Sequence, residues 1–129
     1  MTWLLILAAP LFLGVLLWVF ILRSRTRLSP SERERLRTHW ERAAAQEDLH
    51  RRILDADSVL DQLLTALGYS GTLGEKLKRA GPRLPQLQSV WDAHKLRNRI
   101  AHEANATITG DDALRAMRAF ERVIRQFLD

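Results

Sequence analysis

A run of twenty residues without a charged side chain, residues 3–22 (WLLILAAPLFLGVLLWVFIL), limits the possible architectures of this chain more than any other segment. At 1.5 Å rise per residue, a helix of this length spans about 30 Å, the thickness of a bilayer's hydrocarbon core. Fourteen of the twenty residues are Leu, Ile, Val or Phe, and together they favour insertion by roughly 4–8 kcal/mol. Pro10 and Gly14 reduce this value without reversing it, because membrane helices tolerate both. The run predicts a transmembrane anchor over residues 1–22.

The flanks of the run predict its orientation. Arg23, Arg25 and Arg27 follow it, whereas only Met1 and Thr2 precede it. By the positive-inside rule, the arginine flank is cytoplasmic. We therefore expect a single-pass protein of the plasma or inner membrane, with the N-terminus outside, the bilayer as a partner and the C-terminal domain in the cytoplasm. A cleaved signal peptide is the main alternative, but it would need a basic n-region and a shorter apolar run.

The charged residues and the lack of cysteine exclude several kinds of site. The chain has no cysteine, so disulfides and thiolate metal sites are excluded, and the four histidines are too dispersed for a zinc motif. We expect no metal and no other cofactor. Of the net charge of +5, residues 23–52 contribute nine Lys and Arg against five Asp and Glu, and residues 53–129 eleven against ten. The distal part is close to neutral and lacks the overall basic surface of a strong nucleic-acid binder.

Residues 23–49 are predicted to form a basic juxtamembrane segment and a polar stalk helix. Ser29-Pro30-Ser31-Glu32 combines a capping residue, a proline at the first helical position and the glutamate of a capping box. The helix that follows is rich in charge through about residue 50. Its apolar positions are sparse, which predicts a solvated or only partly docked stalk.

Residues 50–129 are predicted to form a small helical domain. A leucine-rich stripe runs from Leu49 to Leu67 at spacings of three and four, and Gly68 ends this helix. A capping box at residues 72–75 starts a short helix, Pro85 is expected to open a helix over residues 85–103, and a cap at residues 109–112 starts the last one. No segment alternates with period two. The fold class is therefore all-α, with three longer helices and one short helix after the stalk.

The helix over residues 85–103 carries polar residues on one of its two apolar sides. On a helical wheel, Leu96 and Ile100 form one apolar face, and Arg99 points to solvent. The other side is predicted to be an interface with a second copy of the chain, related by a two-fold axis. Its apolar residues are Leu87, Val90, Trp91 and Ala101, and its polar residues are Arg97, Asn98 and His102.

The run Arg97-Asn98-Arg99-Ile100-Ala101-His102 resembles the R-x(4–6)-H motif of HEPN domains, including a polar residue directly after the arginine. The preceding stretch, residues 54–77, is also similar to bacterial members, and the resemblance covers about residues 50–128. HEPN domains are antiparallel bundles of four or five helices that commonly dimerise with their motifs facing each other. Many are metal-independent endoribonucleases, and others only bind RNA or nucleotides.

For this chain the resemblance implies a HEPN-like bundle behind an N-terminal transmembrane helix. It also implies three catalytic roles: His102 as acid or base, Arg97 as phosphate clamp and Asn98 as the orienting residue, with 2′-OH attack giving a 2′,3′-cyclic phosphate. The near-neutral domain, the anchor and the acidic Glu103 beside His102 depart from a free ribonuclease toxin. Two readings therefore stay open: a dimerising interaction or RNA-binding module, with the motif as a structural latch, and an active endoribonuclease. An unidentified protein partner is compatible with both.

Overall fold

A computed structural model of the chain describes residues 10–20 and 27–129. We number the helices α1 (residues 10–20), α2 (Pro30–Ala44), α3 (Leu49–Ala66), α4 (Leu73–Ala80), α5 (Leu87–His102) and α6 (Gly110–Leu128), with a 3-10 turn at Gly81–Arg83 between α4 and α5. The described residues contain no strand, which confirms the predicted all-α class.

The predicted anchor coincides only in part with the described residues. Residues 3–9 and 21–22 of the apolar run lie outside them. Between residues 10–20 and 27–129, no helix combines the length and the apolar character that a membrane crossing requires. The described part, α1, would span about 16 Å at 1.5 Å per residue. The transmembrane anchor over residues 1–22 thus stays a prediction.

α3 is the central helix of the bundle and packs against α2, α5 and α6. The apolar stripe predicted for α3 is its buried side, with Ile53, Leu60 and Leu63 fully enclosed. α6 supplies the opposite wall with Phe120 and Ile124, which are also fully buried. The stripes of these two helices therefore face each other across the core.

α2 differs from the solvated stalk that its composition predicts. The helix ends at Ala44 rather than near residue 50, and three of its few apolar side chains, Leu36, Trp40 and Ala43, are buried in the core. Arg37 also donates from Nη2 to the carbonyl oxygen of Leu128 at 2.8 Å, which ties α2 to the end of α6. Three apolar positions on one side of four turns are enough to dock this helix, although the rest of its surface is charged.

Backbone conformation sets the two helix ends that flank the short α4 region. Gly68 follows α3 with φ +96°, the left-handed conformation that glycine adopts without steric cost. Gln86 has φ +49° directly before α5 and makes no side-chain cap. α5 therefore begins at Leu87, two residues after the predicted start at Pro85. The predicted capping boxes at Ser29 and Thr72 are formed, and the predicted cap at Thr109 is also a capping box, with Asp112 as its acidic partner.

Thr109→Ala should lower the free energy of unfolding by about 1 kcal/mol, because the Thr109 side chain caps α6 and accepts from the backbone N–H of Asp112. Urea unfolding of residues 28–129, which include every residue of the buried core, measures this difference. Thr107→Ala is the matched control, since the Thr107 side chain makes no hydrogen bond within the described part of the chain. Equal losses in the two variants would contradict the capping role.

The same cap gives the stability a pH dependence. The backbone hydrogen bond from Thr109 and then its side-chain hydrogen bond hold the pKa of Asp112 below its usual value. A carboxyl group with a lowered folded-state pKa stabilises the fold above its unfolded pKa of about 3.9, and this stabilisation is lost as the pH falls through the folded-state pKa. Thr109→Ala keeps the backbone donor and removes only the side-chain hydrogen bond. The difference in stability between wild type and this variant should therefore shrink in that acidic range by the side-chain contribution alone.

Candidate functional site: a buried carboxylate behind the motif helix

The site is built around Asp57, an acidic residue on the apolar side of α3. Only 4% of its surface is exposed, and Ile53 and Leu60 on either side of it in the stripe are fully buried. A carboxylate in such a place needs partners, because an unpaired buried charge is costly. α5 packs across this part of α3 and supplies them.

Two side chains of α5 pair with the two oxygens of Asp57. Nδ1 of His94 lies 2.8 Å from Oδ1 in a hydrogen bond. Nε of Arg97 lies 3.2 Å from Oδ2, but the oxygen lies off the N–H axis and Nε has no directed hydrogen bond within the described residues. The contact with Arg97 is therefore mainly Coulombic, whereas the contact with His94 is directional.

Asn98 closes the cluster from the solvent side. Nη1 of Arg97 donates to Oδ1 of Asn98 at 3.0 Å, and Nδ2 of Asn98 lies 3.4 Å from Nε2 of His94. If Nδ2 donates, Nε2 of His94 must accept, so Nδ1 of His94 carries the proton that bonds Asp57. We call the group of Asp57, His94, Arg97 and Asn98 the Asp57 network, and this one tautomer of His94 makes both of the hydrogen bonds of its ring.

The exposure of the residues in the Asp57 network increases from Asp57 through His94 to Arg97. The side chain of His94 is 12% exposed and that of Arg97 is 35% exposed. His94 is further enclosed by Trp91, whose ring meets it edge-on at a centroid distance of 6.2 Å. His94 therefore acts as a positioning residue, while the guanidinium of Arg97 reaches the surface and can meet an anion there.

The predicted catalytic residues do not form one group in the structure. Arg97 and Asn98 both belong to the Asp57 network, but His102 is the last residue of α5, is exposed, and makes no hydrogen bond to the network among the described residues. Five residues of helix place it about 7.5 Å further along the axis than Arg97. The motif thus contains an arginine held by the Asp57 network and, one and a half turns further along α5, a histidine that is exposed to solvent.

The predicted interface residues are divided by the structure. Val90 is fully buried in the protein's own core, and Leu87 and Trp91 are partly buried against that core, so Val90 does not lie on a surface that a second copy could reach. Ala101 is exposed beside His102. The wheel placed Val90 on a free side because it could not show that the rest of the domain covers this residue. Trp91 lies close to Gly74 at the start of α4.

The remaining motif residues lie where the wheel placed them. Leu96 and Ile100 pack against the core. Arg99 is exposed, donates from Nη2 to the carbonyl oxygen of Thr107 at 3.0 Å, and lies 4.0 Å from Glu103. It therefore fastens the loop after α5 and takes no part in the Asp57 network.

Sequence reasoning missed Asp57 and the role of His94. Asp57 carried a detectable signal, because it lies four residues after Ile53 and three before Leu60, inside an apolar stripe. An acidic residue at such a position predicts a buried partner. The described residues contain no group of three or more His, Cys, Asp or Glu that could hold a metal ion.

Asp57→Ala should lower the free energy of unfolding by about 2–3 kcal/mol, because it leaves His94 and Arg97 without their buried partner. Asp55→Ala is the matched control on the same helix, since Asp55 makes neither an ion pair nor a hydrogen bond within the described ranges, and it should change stability by less than about 0.5 kcal/mol. Urea unfolding of residues 28–129 compares the two variants. An equal, small loss in both would show that the network contributes little.

Neither a protein-family model, nor a curated protein, nor a solved structure matches the chain. The resemblance to HEPN domains therefore stays a prediction from the motif at residues 97–102 and the stretch before it. In the structure, the arginine of this motif pairs with the buried carboxylate of Asp57.

Proposed function

We propose that the chain is a membrane-anchored HEPN-like module whose cytosolic domain dimerises and binds RNA through the exposed end of α5. The placement of Arg97 carries this proposal. Asp57 and Asn98 hold its guanidinium at the domain surface, with about a third of the side chain exposed. A planar guanidinium with a fixed orientation suits recognition of phosphate oxygens, because less side-chain entropy is lost on binding.

Dimerisation is supported by the last turn of α5. Ala101 is a small exposed residue and His102 is exposed next to it, so another helix could approach closely at this point. A two-fold axis here would bring two copies of Arg97 and His102 to one surface. A domain of this size also buries only about 60–65% of its unfolded surface, and association would add to its stability.

The anchor is supported by the exposure of α1. Its large apolar side chains, among them Leu11 and Phe20 at 73% and 69%, have the character that a lipid environment stabilises. Tethering would confine the domain to a thin layer at the membrane and raise its effective concentration, so a weak dimer could form there.

A metal-independent endoribonuclease is the second candidate, and the exposure of His102 favours it. An accessible imidazole can take a proton from a ribose 2′-OH or give one to the leaving oxygen. Arg97 would then stabilise the charge on the phosphate oxygens of the transition state. Attack by the 2′-oxygen on phosphorus expels the 5′-oxygen of the next nucleotide and leaves a 2′,3′-cyclic phosphate.

Arg97→Gln should weaken binding of single-stranded RNA and reduce the salt slope of log affinity by about 0.7, the value for one lost phosphate contact on a single strand. His102→Ala should leave the fold intact, because His102 is exposed. Fluorescence anisotropy on residues 28–129 measures binding. Gels run with EDTA present and sedimentation then score cleavage and dimerisation for each variant.

The outcomes separate the two candidates. RNA binding without cleavage supports the binding module, and cleavage that survives EDTA but is lost in His102→Ala supports the enzyme. Arg35→Gln is the matched control, because Arg35 is an exposed arginine of α2, on another helix than the motif. RNA affinity that falls equally in Arg35→Gln and Arg97→Gln would contradict a site on α5.

The topology can be tested directly, since the natural chain has no cysteine. A cysteine at position 2 (Thr2→Cys) should react with a membrane-impermeant maleimide in intact cells, and one at position 107 (Thr107→Cys) only after lysis. The reason is that the arginines after the apolar run are expected on the cytoplasmic side. Reaction of both positions in intact cells, or of position 107 alone, would contradict the proposed orientation.

A further inference from the structure

The end of the bundle at which α2 begins is also the end at which α4 follows α3. α2 and α3 pack against each other, and Nδ1 of His39 lies 3.0 Å from Oε1 of Gln62. α2 begins nine residues before His39, whereas α3 ends four residues after Gln62. Because a short turn joins these two helices in antiparallel order, α2 begins beyond the end of α3.

Contacts with α6 place the 3-10 turn after α4 at the same end. Arg33, in the first turn of α2, donates from Nη1 to the carbonyl oxygen of Leu128 at 3.3 Å. Gln126, one half-turn before Leu128, donates to the carbonyl oxygen of Arg83 at 2.9 Å. We call this end of the bundle, where the start of α2, the segment around α4 and the end of α6 meet, the α4 end.

The α4 end is basic, although the domain as a whole is close to neutral. Residues 67–86 contain four Lys and Arg against one acidic residue, Glu75. The first two turns of α2 together with Asp129 add three basic and three acidic residues, so they leave this excess unchanged. Lys76 is buried and paired with an aspartate of α3. The other three basic residues of the segment are exposed. They are Lys78, Arg79 and Arg83.

The spacing of α4 turns two of these cations outward. α4 buries Leu73 and Leu77 in the core, and at 100° per residue Lys78 and Arg79 lie on the opposite side of the helix. Neither side chain forms an ion pair in the part of the chain that the structure describes. Both charges are therefore free to meet an external anion.

The third cation, Arg83, lies beside two aromatic rings. Its Nη1 donates to the hydroxyl of Tyr69 at 3.2 Å, and its guanidinium lies over the ring of Phe127 at 5.4 Å from the centroid. Both rings are only partly buried. Tyrosine rings and basic side chains are together typical of protein surfaces at the headgroup level of a membrane.

The chain between the apolar run and α2 is short enough to keep the α4 end close to a bilayer. Only seven residues, 23–29, separate the two. Even a fully extended chain of this length spans at most about 25 Å, which is about the length of α5. Because α2 begins at the α4 end, the tether holds this end near the headgroups at a high effective concentration.

We propose that the α4 end docks on anionic phospholipid headgroups of the membrane that carries the anchor, through Lys78, Arg79 and Arg83. Each basic side chain near an anionic leaflet adds attraction, which falls off within a Debye length of about 8 Å at physiological ionic strength. Only the end that faces the bilayer therefore contributes. This inference rests on the membrane anchor of the proposed function and not on RNA binding.

Docking by the α4 end sets the direction of the motif helix. α5 begins at this end, and His102 lies about 22 Å further along its axis than Leu87. The exposed turn that carries the proposed RNA surface would then point away from the bilayer, into the cytoplasm. A domain lying on its side would instead bring both ends of α5 to the lipid.

Energy transfer on the full chain in nanodiscs tests this arrangement, with an acceptor dye on the lipid headgroups. The natural chain has no cysteine, so an uncharged donor dye can be placed at the α4 end (Pro82→Cys) or at the far end of the bundle (Thr107→Cys), both exposed positions. Adding phosphatidylserine to phosphatidylcholine discs should raise transfer from position 82 but not from position 107. The rise should vanish in 1 M salt, where the Debye length is about 3 Å.

Transfer from position 82 that is equal in neutral and anionic discs would overturn the proposal. An equal rise at positions 82 and 107 would also overturn it, because the domain would then lie on its side. A chain that alkaline carbonate extracts from liposomes has no anchor and would overturn both this inference and the membrane part of the proposed function. A retained chain without the rise overturns this inference alone.

A pair of double variants locates the attraction within the domain. Lys78→Gln combined with Arg79→Gln should abolish the rise at position 82. Lys95→Gln combined with Arg118→Gln is the matched control, because it removes the same charge from the groove between α5 and α6, where both residues are exposed. The control should keep the rise. An equal loss in the two double variants would show attraction by net charge alone and overturn the assignment to the α4 end.

Discussion

A single buried carboxylate, that of Asp57, determines how the motif helix sits in this molecule. Asp57 is enclosed in the central helix of the bundle, where its charge needs compensation. Arg97 supplies an opposite charge from α5, and His94 supplies a directed hydrogen bond. These contacts select one rotation and one register of α5 against α3, because moving the helix by one residue would turn both partners away. This rotation decides which side chains of α5 face the core and which face solvent.

With that rotation fixed, the residues of α5 divide into three groups. Val90, Ala93 and Leu96 complete the core, while Arg97 and Asn98 form the polar edge of the Asp57 network. Lys95 and Arg99 line the groove with α6. One helix of about four and a half turns thus holds Arg97 at the proposed RNA surface and carries Lys95 and Arg99 on another side. The near-neutral total charge of the domain does not reveal these basic positions, because a sum of charges carries no information about where the residues lie.

The helical class and most helix boundaries could be predicted because the signals are local. The capping boxes at Ser29 and Thr72 and the cap at Thr109 depend on side chains three residues apart, and the stripe of α3 depends only on spacing. The helix starts at residues 30, 73 and 110 follow directly from those caps. The left-handed conformation of Gln86 could not be predicted. A residue other than glycine adopts this conformation because of how the chain packs around it rather than by its own preference.

The parts that could not be predicted depend on contacts between distant segments. The docking of α2 rests on three apolar side chains whose partners lie on α3 and α6, and the pairing of Asp57 with His94 joins residues 37 positions apart. A wheel drawn for one helix shows two apolar sides, but it does not show which side its own chain covers. This is why Val90 was assigned to an interface and is found in the core.

The most direct test of this account is a double-mutant cycle between Asp57→Ala and His94→Ala, measured by urea unfolding. If the carboxylate and the imidazole act as one unit, the two substitutions should be non-additive, with a coupling free energy above about 1 kcal/mol. Additive effects within about 0.3–0.5 kcal/mol would contradict the account, because α5 would then be held by apolar packing alone.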